Sequence, residues 1–282
     1  MRRVRLAIVA MALLTFGSSV AFADTLERLR ETGVIKIGIR EDAIPFSYLT
    51  GAGEPAGYTV SLCAAVVDRL RAEPGLESLE IEYVPVETED RFAAVAENRI
   101  DLLCGATTVT LARRELVDFS LPIFVTGGSL LYLANGPQTF EDLAGHSIAV
   151  RKATTMRETL DSLLRESNVN ATIIEVDDHD DGIAKLASGE VAAYFADRAI
   201  LSNLIGLEHI AAGVKLSDVL LSYEPYALAM AKGDDEFRLA VDRAISRIYR
   251  SREIEDIYRG TFGERTLGGL LEALYILNSL PE

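Results

Sequence analysis

Short apolar runs alternate with segments of helical periodicity along most of this chain. In the first half, Val60, Val67 and Leu70 share one face of a helical segment, whereas residues 79–86 alternate apolar and polar side chains as a strand does. The predicted elements are strand 34–40, helix 58–71, strand 79–86, helix 90–98 and strand 100–105. This β-α-β-α-β order is typical of a parallel or mixed sheet with helices on its faces.

The same alternation begins again after Gly127 and Gly128. The second set of predicted elements is strands 129–134 and 147–150, helix 155–165, strand 171–176, helix 181–188, strand 191–195, a helix from 198, and strand 226–231. Helices at 234–250 and 253–258 follow, and we expect the apolar helical tail at 267–280 to pack against the body of the protein. The pattern predicts two α/β units of about 100 and 95 residues with a cleft between them.

The first 23 residues have the pattern of a secretory signal peptide. Three arginines precede an apolar stretch, residues 6–16, which is too short to span a bilayer, and an A-x-A cleavage motif ends at Ala23. The mature chain is therefore expected to begin at Asp24 and to be exported. No later stretch is apolar enough to cross a membrane, so we expect no membrane insertion.

Charge and cysteine content narrow the possible partners. The formal net charge is −15, and loss of the three arginines in the signal peptide moves it to about −18. Nucleic acid and anionic membranes are poor partners for such a chain. Cys63 and Cys104 form an even pair in an oxidising compartment, which suggests a disulfide, with two buried thiols as the alternative. Two cysteines without paired histidines do not make a zinc site, and no metal or cofactor is expected.

Polar side chains follow the predicted strands at equivalent points. In strand order they are Arg40; Thr88 to Arg91; Thr107, Thr108 and Arg113; Thr154 and Thr155; His179; and Asp197. Because ligands of open α/β sheets bind at the carboxyl ends of strands, these clusters predict one ligand site in the cleft.

The third cluster lies in the segment DLLCGATTVTLARRELVDF, residues 101–119. A strand end with open backbone N–H groups, two hydroxyls and Arg113 can hold a carboxylate, and the guanidinium of Arg113 can grip it with two parallel hydrogen bonds. We expect the neighbouring Arg114 to be solvated. The spacing alone also allows a surface turn with solvated arginines.

Six segments in order carry a resemblance to a known family. They are IREDAIPFSY (39–48), GYTVSLC (57–63), DLLCGATTVTLARRELVDFS (101–120), FEDLAGHSIAV (140–150), ASGEVAAYFADRAIL (187–201) and IEDIYRGTFG (254–263). From about Val34 to Gly263 the chain resembles the periplasmic solute-binding proteins of ABC-type amino-acid importers, the family 3 class. Within that family it looks most like the glutamate/aspartate-binding members.

The resemblance implies a role for each site residue. In those members an arginine matching Arg113 holds the α-carboxylate, helped by threonines matching Thr108 and Thr155. An aspartate matching Asp197 takes the α-ammonium. The side-chain carboxylate goes to residues matching Arg40, Thr88, Arg91 and His179. Ala106 replaces the family's serine and removes one hydroxyl near the ammonium, although the backbone carbonyl there can still accept.

The resemblance also implies an α/β fold of the type II periplasmic-binding-protein kind. Its two mixed sheets, with flanking helices, form two lobes joined by two hinge strands, which would cross near residues 123–127 and 222–226. Carried over, lobe one is 24–124 plus 226–282, and lobe two is 125–225. The expected protein is a non-enzymatic monomer that closes over glutamate or aspartate and docks on a membrane permease.

The residues leave several alternatives open. Thr154 or Asp197 could serve as an N-cap, Arg40 could pair with Glu41, and Arg91 or His179 could be exposed to solvent. The ligand could be another amino acid such as glutamine. A periplasmic dehydratase or lyase on this scaffold would need a general acid or base, for which His179 is the obvious candidate. The sequence does not distinguish an importer binding protein from a sensor whose closed form docks on a receptor.

Overall fold

The computed structural model describes residues 24–206 and 213–282, so the predicted signal peptide lies outside the described residues. The helices are α1 Thr25–Thr32, α2 Tyr58–Leu70, α3 Arg91–Ala96, α4 Thr155–Glu166, α5 His179–Ser188, α6 Arg198–Gly206, α7 Asp235–Arg250, α8 Glu253–Phe262 and α9 Gly269–Leu277. The strands are β1 Val34–Ile39, β2 Asp42–Ala43, β3 Ser47–Leu49, β4 Pro55–Ala56, β5 Glu80–Pro85, β6 Leu102–Cys104, β7 Asp118–Thr126, β8 Gly128–Leu133, β9 Ser147–Arg151, β10 Thr172–Val176, β11 Ala193–Asp197, β12 Val214–Leu216 and β13 Glu224–Met230.

Two five-stranded mixed sheets organise the molecule. The first has the order β5-β1-β6-β13-β7, in which β1 is parallel to β5 and β6, and β13 runs antiparallel to β6 and β7. The second has the order β10-β9-β11-β8-β12, with β9 parallel to β10 and β11, and β8 antiparallel to β11 and β12. The predicted α/β, two-lobe fold with mixed sheets is therefore confirmed.

The chain crosses between the sheets twice. Gly127 alone separates β7 of the first sheet from β8 of the second, and the return runs from β12 into β13. At the crossing Glu224 of β13 pairs with Thr126 of β7. A Cβ on Gly127 would lie 2.0 Å from the carbonyl oxygen of Ser222, so the two crossing segments touch where only glycine fits. The lobe boundaries at residues 124 and 225 stay a prediction, which this sheet membership supports.

The first lobe encloses an aromatic core that the C-terminal tail completes. Phe46 contacts Phe124 and Tyr226 edge-on, at ring-centroid distances of 4.9 and 5.1 Å. The hydroxyl of Tyr58 donates to the backbone oxygen of Ile123 at 2.8 Å and lies 2.7 Å from the hydroxyl of Tyr275 in α9. The prediction that the tail packs against the body is therefore confirmed.

A disulfide joins the buried Cys63 of α2 to the buried Cys104 of β6. This confirms the predicted disulfide over the two-thiol alternative, and it fixes α2 to the strand that precedes the GATT turn. Within the described residues no helix is both long enough and apolar enough to span a membrane.

Several elements differ from the sequence prediction. Helices α1 and α5 are the clearest cases: α1 was not predicted, and α5 begins at His179 rather than residue 181 because Asp178 caps it by accepting from the backbone N–H of Asp181. The short strands β2–β4 and β12 and the nine-residue strand β7 were also not predicted. Strand β7 contains Pro122, which cannot donate to a ladder, and the register with β13 shifts beside it.

Candidate ligand-binding site

The predicted site residues converge where the carboxyl ends of strands from both sheets face each other. A small cavity there is lined by residues from both lobes, among them Arg40, Ala106, Arg151, His179 and Asp197. The other predicted residues adjoin this cleft, as their contacts described below show. All nine residues predicted from the sequence are therefore brought to one place.

The two lobes touch directly across this cleft. Arg91 donates from Nη2 to the backbone oxygen of Ala153 at 3.3 Å, and the hydroxyls of Thr108 and Thr155 lie 3.4 Å apart. Lys152 of lobe two also pairs with Glu89 of lobe one at 3.3 Å. These contacts place side chains from both lobes within reach of one small ligand.

One end of the cleft is built around Arg113. Its Nη1 donates to the backbone oxygen of Thr108 at 2.8 Å, and its guanidinium lies over the ring of Phe92 at 5.0 Å. These contacts hold the guanidinium in place while leaving further donors available. Arg114 is exposed, as predicted.

Thr155 links this end of the cleft to the hinge. Its hydroxyl donates to Oε2 of the buried Glu224 at 3.0 Å. Ser222 donates to the other oxygen of Glu224 at 3.0 Å and accepts from the backbone N–H of Gly128 at 2.9 Å. A ligand that engages Thr155 therefore acts on a hydrogen-bond chain that reaches the crossing between the lobes.

The other end of the cleft holds a cluster of buried cationic donors. Arg40 is 5% exposed and Arg91 is 3% exposed, which excludes the solvent-exposed alternative for Arg91. Burial, and then the charges of Arg113, Arg40 and Arg151, lower the pKa of Arg91. Burial, and then Arg151, likewise lower the pKa of Arg40. An anion placed here would relieve this repulsion.

Several buried polar atoms of the cleft have no hydrogen-bond partner among the described residues. These atoms are Thr88 Oγ1, Arg91 Nε, Thr107 Oγ1, Arg151 Nε and Nη1, and Asp197 Oδ1. An unsatisfied buried donor or acceptor costs about 1–3 kcal/mol, and more when it is charged. Their concentration in one cleft points to a polar, charged ligand as the missing partner.

His179 is buried rather than exposed in an acidic loop, so that alternative was wrong. It is the first residue of α5 and is 7% exposed, and its Nδ1 lies 2.6 Å from the hydroxyl of Tyr194. Burial, and then the charge of Arg151, lower its pKa to about 3. The imidazole is therefore neutral at physiological pH and offers hydrogen bonding without charge.

Asp197 is the last residue of β11, directly before α6. Burial raises its pKa to about 7, and the nearby carboxylate of Glu224 adds to this, whereas the hydroxyl of Tyr226 and the charge of Arg113 oppose it. A ligand ammonium beside this carboxyl would stabilise its ionised form.

Thr154 occupies the N-cap position of α4, but its hydroxyl donates to the backbone oxygen of Arg151 at 2.8 Å instead of capping the helix.

Sequence reasoning missed Arg151, Asp42 and Glu224. Arg151 ends β9, so the strand-end rule that selected Thr154 and Thr155 could have found it. Asp42 pairs with Arg40 at 2.8 Å and with Arg151 at 2.6 Å, so the expected alternative partner of Arg40, Glu41, was wrong. Glu224 begins a hinge strand, and no local pattern marks it.

Comparisons with known proteins agree with this architecture. A sequence model of the bacterial extracellular solute-binding proteins, family 3, matches residues 35–264. The L-glutamate/L-aspartate-binding protein of Pseudomonas aeruginosa is 33% identical over 259 residues, which cover 89% of this chain and 84% of that protein. The glutamate/aspartate import solute-binding protein of Salmonella typhimurium is 30% identical over 236 residues, which cover 83% of this chain and 78% of that protein.

A solved structure shares the fold. The substrate-binding protein of an ABC uptake transporter from Streptococcus pneumoniae, solved with bound histidine, superimposes with a TM-score of 0.77. The match covers 86% of this chain and 97% of that one at 19% identity, so it bears on the fold alone. With two mixed sheets, a shared cleft and a family match over most of its length, the chain belongs to the bacterial extracellular solute-binding proteins, family 3.

Proposed function

We propose that this chain is the substrate-binding protein of an ABC importer for acidic amino acids and holds glutamate or aspartate between its lobes. Export through a signal peptide cleaved after Ala23, a periplasmic location and a monomeric state belong to the same proposal. The relatives from P. aeruginosa and S. typhimurium support it, because their names state glutamate and aspartate binding or import.

The charge balance of the cleft carries the proposal. Its guanidinium groups belong to Arg40, Arg91, Arg113 and Arg151, and its carboxyl groups to Asp42, Asp197 and Glu224. With all of them ionised and His179 neutral, the cleft carries one excess positive charge. Glutamate and aspartate each carry a net charge of −1 and would neutralise it. A neutral amino acid would leave a buried guanidinium underpaired. The cost is on the order of several kcal/mol, as for other buried ion pairs that lose one partner.

Each end of the cleft then takes one end of the ligand. Arg113, Thr108 and Thr155 bind the α-carboxylate, and Asp197 binds the α-ammonium with the backbone carbonyl of Ala106 beside it. The distal carboxylate lies among Arg40, Thr88, Arg91 and His179. The unpartnered atoms Thr88 Oγ1 and Arg91 Nε support the distal assignment, because they need an acceptor.

The ligand acts by favouring one arrangement of the lobes. Residues on both sides of the hinge contribute to the site, so a bound amino acid stabilises the form in which the lobes meet. In the proposed cycle this closed form docks on the permease and reopens there. The chain from Thr155 through Glu224 and Ser222 to Gly128 offers a physical link between ligand and hinge.

Isothermal titration calorimetry of the mature protein tests the ligand assignment. We expect L-glutamate and L-aspartate to bind at least about 100-fold more tightly than L-glutamine, because the amide leaves a buried cation unpaired. A preference for glutamine, or no binding of either acidic amino acid, would reject the assignment. The same titrations report any turnover of the ligand, which would support the dehydratase or lyase alternative instead.

His179, the general acid or base that the enzymatic alternative would use, does not favour that alternative. A general base needs a pKa near the working pH, whereas the pKa of His179 is about 3 and its ring is already engaged by Tyr194. We therefore propose a non-enzymatic binding role.

A further inference from the structure

Arg151 is the cleft residue with the most unused hydrogen-bonding capacity. It ends β9 of lobe two, is 5% exposed and lines the central cavity together with Arg40 and His179. Its Nε and Nη1 atoms are buried and have no hydrogen-bond partner among the described residues. A guanidinium cannot shed its charge, so two unpaired donors on a buried arginine carry a large cost unless an acceptor occupies the cavity beside them.

The third nitrogen of Arg151 is held by a carboxylate from the opposite lobe. Nη2 lies 2.6 Å from Oδ2 of Asp42, and Oδ1 of the same carboxylate accepts from Nη2 of Arg40 at 2.8 Å. Asp42 therefore bridges two guanidiniums, one from each lobe. This bridge orients both groups, but a single carboxylate balances only one of their two charges.

We propose that Arg151 is a specificity-determining residue that contacts the distal carboxylate of the ligand directly, from the side of lobe two. Arg40 and Arg91 then hold the same carboxylate from lobe one, so that it completes a cluster of three guanidiniums and one aspartate. Asp42 is the positioning residue of this cluster. The inference rests on the proposed function, because it needs an acidic ligand.

The packing around Arg151 favours ligand contact over a purely structural pairing. In a structural Arg–Asp pair the remaining guanidinium donors are taken up by other acceptors such as backbone carbonyls, as Arg71 pairs with Asp68 and donates to the backbone oxygen of Leu79. The guanidinium of Arg151 instead faces His179, a neutral imidazole, and the like charge of Arg40. An added anion would satisfy the remaining donors and would also offset the repulsion between the two arginines, which a neutral acceptor cannot do.

Calorimetry on two Arg151 variants tests the inference, with L-glutamate and L-glutamine as the titrants. We expect Arg151→Gln to weaken glutamate binding about 30-fold or more and glutamine binding by less than about 5-fold, so that the ratio between them falls. Arg151→Lys keeps the charge but loses the two directional donors, and we expect it to weaken glutamate binding about 10-fold.

Arg157→Gln is the matched control. Arg157 lies in the same lobe and also pairs with a carboxylate, Glu175, at 2.6 Å, but it does not line the cavity. We expect both affinities of this variant to stay within about 2-fold of the wild type, as is usual for rim or surface pairs. Thermal unfolding of each variant establishes that it is folded.

Asp42→Asn gives an independent test of opposite sign. Asn keeps an oxygen that can still orient a guanidinium but removes the negative charge that competes with the ligand for Arg40 and Arg151, so glutamate binding should tighten by a factor on the order of 5 and the glutamate-to-glutamine ratio should rise. If Asp42 and Arg151 served only to latch the lobes, Asp42→Asn and Arg151→Gln would weaken both ligands in parallel.

The outcomes separate this inference from the proposed function. A wild-type protein that binds no acidic amino acid overturns both. Wild-type glutamate binding with an unchanged glutamate-to-glutamine ratio in Arg151→Gln overturns the inference alone. Unchanged glutamate affinity in Arg151→Lys also overturns the inference, because a positive charge would then be enough for glutamate binding without the guanidinium's directional hydrogen bonds.

Discussion

Asp197 is the titratable group whose protonation the ammonium of the proposed ligand would change. Its pKa is raised to about 7 by burial, with Glu224 and Tyr226 of β13 and Arg113 as its charged or polar neighbours. The raised pKa means that the folded protein holds this proton more tightly than the unfolded chain. The contribution of Asp197 to the free energy of unfolding of the ligand-free protein therefore falls as the pH rises from about 4 through about 7.

Ligand binding should therefore release a proton near neutral pH. At pH 6 most Asp197 carboxyls are protonated, and an arriving ammonium favours the ionised form, so we expect about one proton to leave per glutamate bound. Above about pH 8 the release should vanish, and below pH 7 the affinity should fall by up to about tenfold per pH unit. Calorimetry in buffers of different ionisation enthalpy measures the proton count. A count of zero at pH 6 would contradict the raised pKa, and Asp197→Asn serves as the control without this proton.

Arg91 illustrates how a proposed binding residue would trade stability for function. It is buried among Arg40, Arg113 and Arg151, which lower its pKa. We expect Arg91→Met to stabilise the protein without ligand by about 1–3 kcal/mol, because an apolar side chain of similar length removes an underpaired buried charge. The same variant should lose most of its affinity for glutamate. Urea unfolding and calorimetry measure the two effects.

Arg114→Met is the control for that variant, because it makes the same substitution at an arginine that is exposed. Its stability and its affinity should both stay close to those of the wild type. A less stable Arg91→Met protein would mean that the arginine packs favourably even without its ligand.

The residues of the site were predictable where a strand end marked them. Arg40, Arg113 and Asp197 follow or end strands, and a polar residue after an apolar run is visible in sequence. Asp42 and Glu224 were not predictable, because their roles depend on contacts between segments more than 60 residues apart in the chain: Asp42 pairs with Arg151, and Glu224 with Thr155. His179 was predicted as a site residue, but its DDHDD context, which is typical of a solvent-exposed loop, left its burial open.

At the scale of elements, the long helices and the parallel strands follow from periodicity. Helix α2 differs from its prediction by one residue, and α7 by one residue at its start. Strand β7 was missed because Pro122 interrupts its pattern; the strand lies at the edge of the first sheet, where a proline is tolerated. The three-stranded sheet β2–β4 was missed because two- and three-residue strands carry no periodicity.

The hinge offers a test at this scale, because Gly127 lies against the backbone of the returning segment. A Cβ on Gly127 would meet the oxygen of Ser222 at 2.0 Å, so Gly127→Ala must push the two crossing segments apart. We expect a loss of about 1–3 kcal/mol in the free energy of unfolding and a weaker affinity for glutamate, measured by urea unfolding and calorimetry.

Gly51→Ala is the matched control for the hinge variant. A Cβ on Gly51 would meet nothing within 4 Å, and its backbone is not in the left-handed region. Equal unfolding midpoints for Gly127→Ala and Gly51→Ala would show that the crossing segments yield without cost.

For the whole molecule, the sequence predicts the two units but not how closely they meet. The contacts across the cleft, such as Arg91 with Ala153 and Lys152 with Glu89, join segments that flank different sheets. No local pattern encodes such pairs. What the sequence does encode is the overall charge. A protein of formal net charge −15 repels an anionic ligand at long range.

That opposition predicts an unusual salt dependence of ligand capture. Raising the ionic strength from 0.01 to 0.15 M shortens the Debye length from about 30 to about 8 Å, which screens the distant acidic surface more than the arginines that touch the ligand. We expect the association rate of glutamate to rise about 2-fold or more, whereas that of glutamine changes little. Stopped-flow tyrosine fluorescence can follow both, since the chain has 10 tyrosines and no tryptophan. A glutamate rate that falls with salt would mean instead that the arginine cluster projects its field beyond the mouth of the cleft and steers the anion inward.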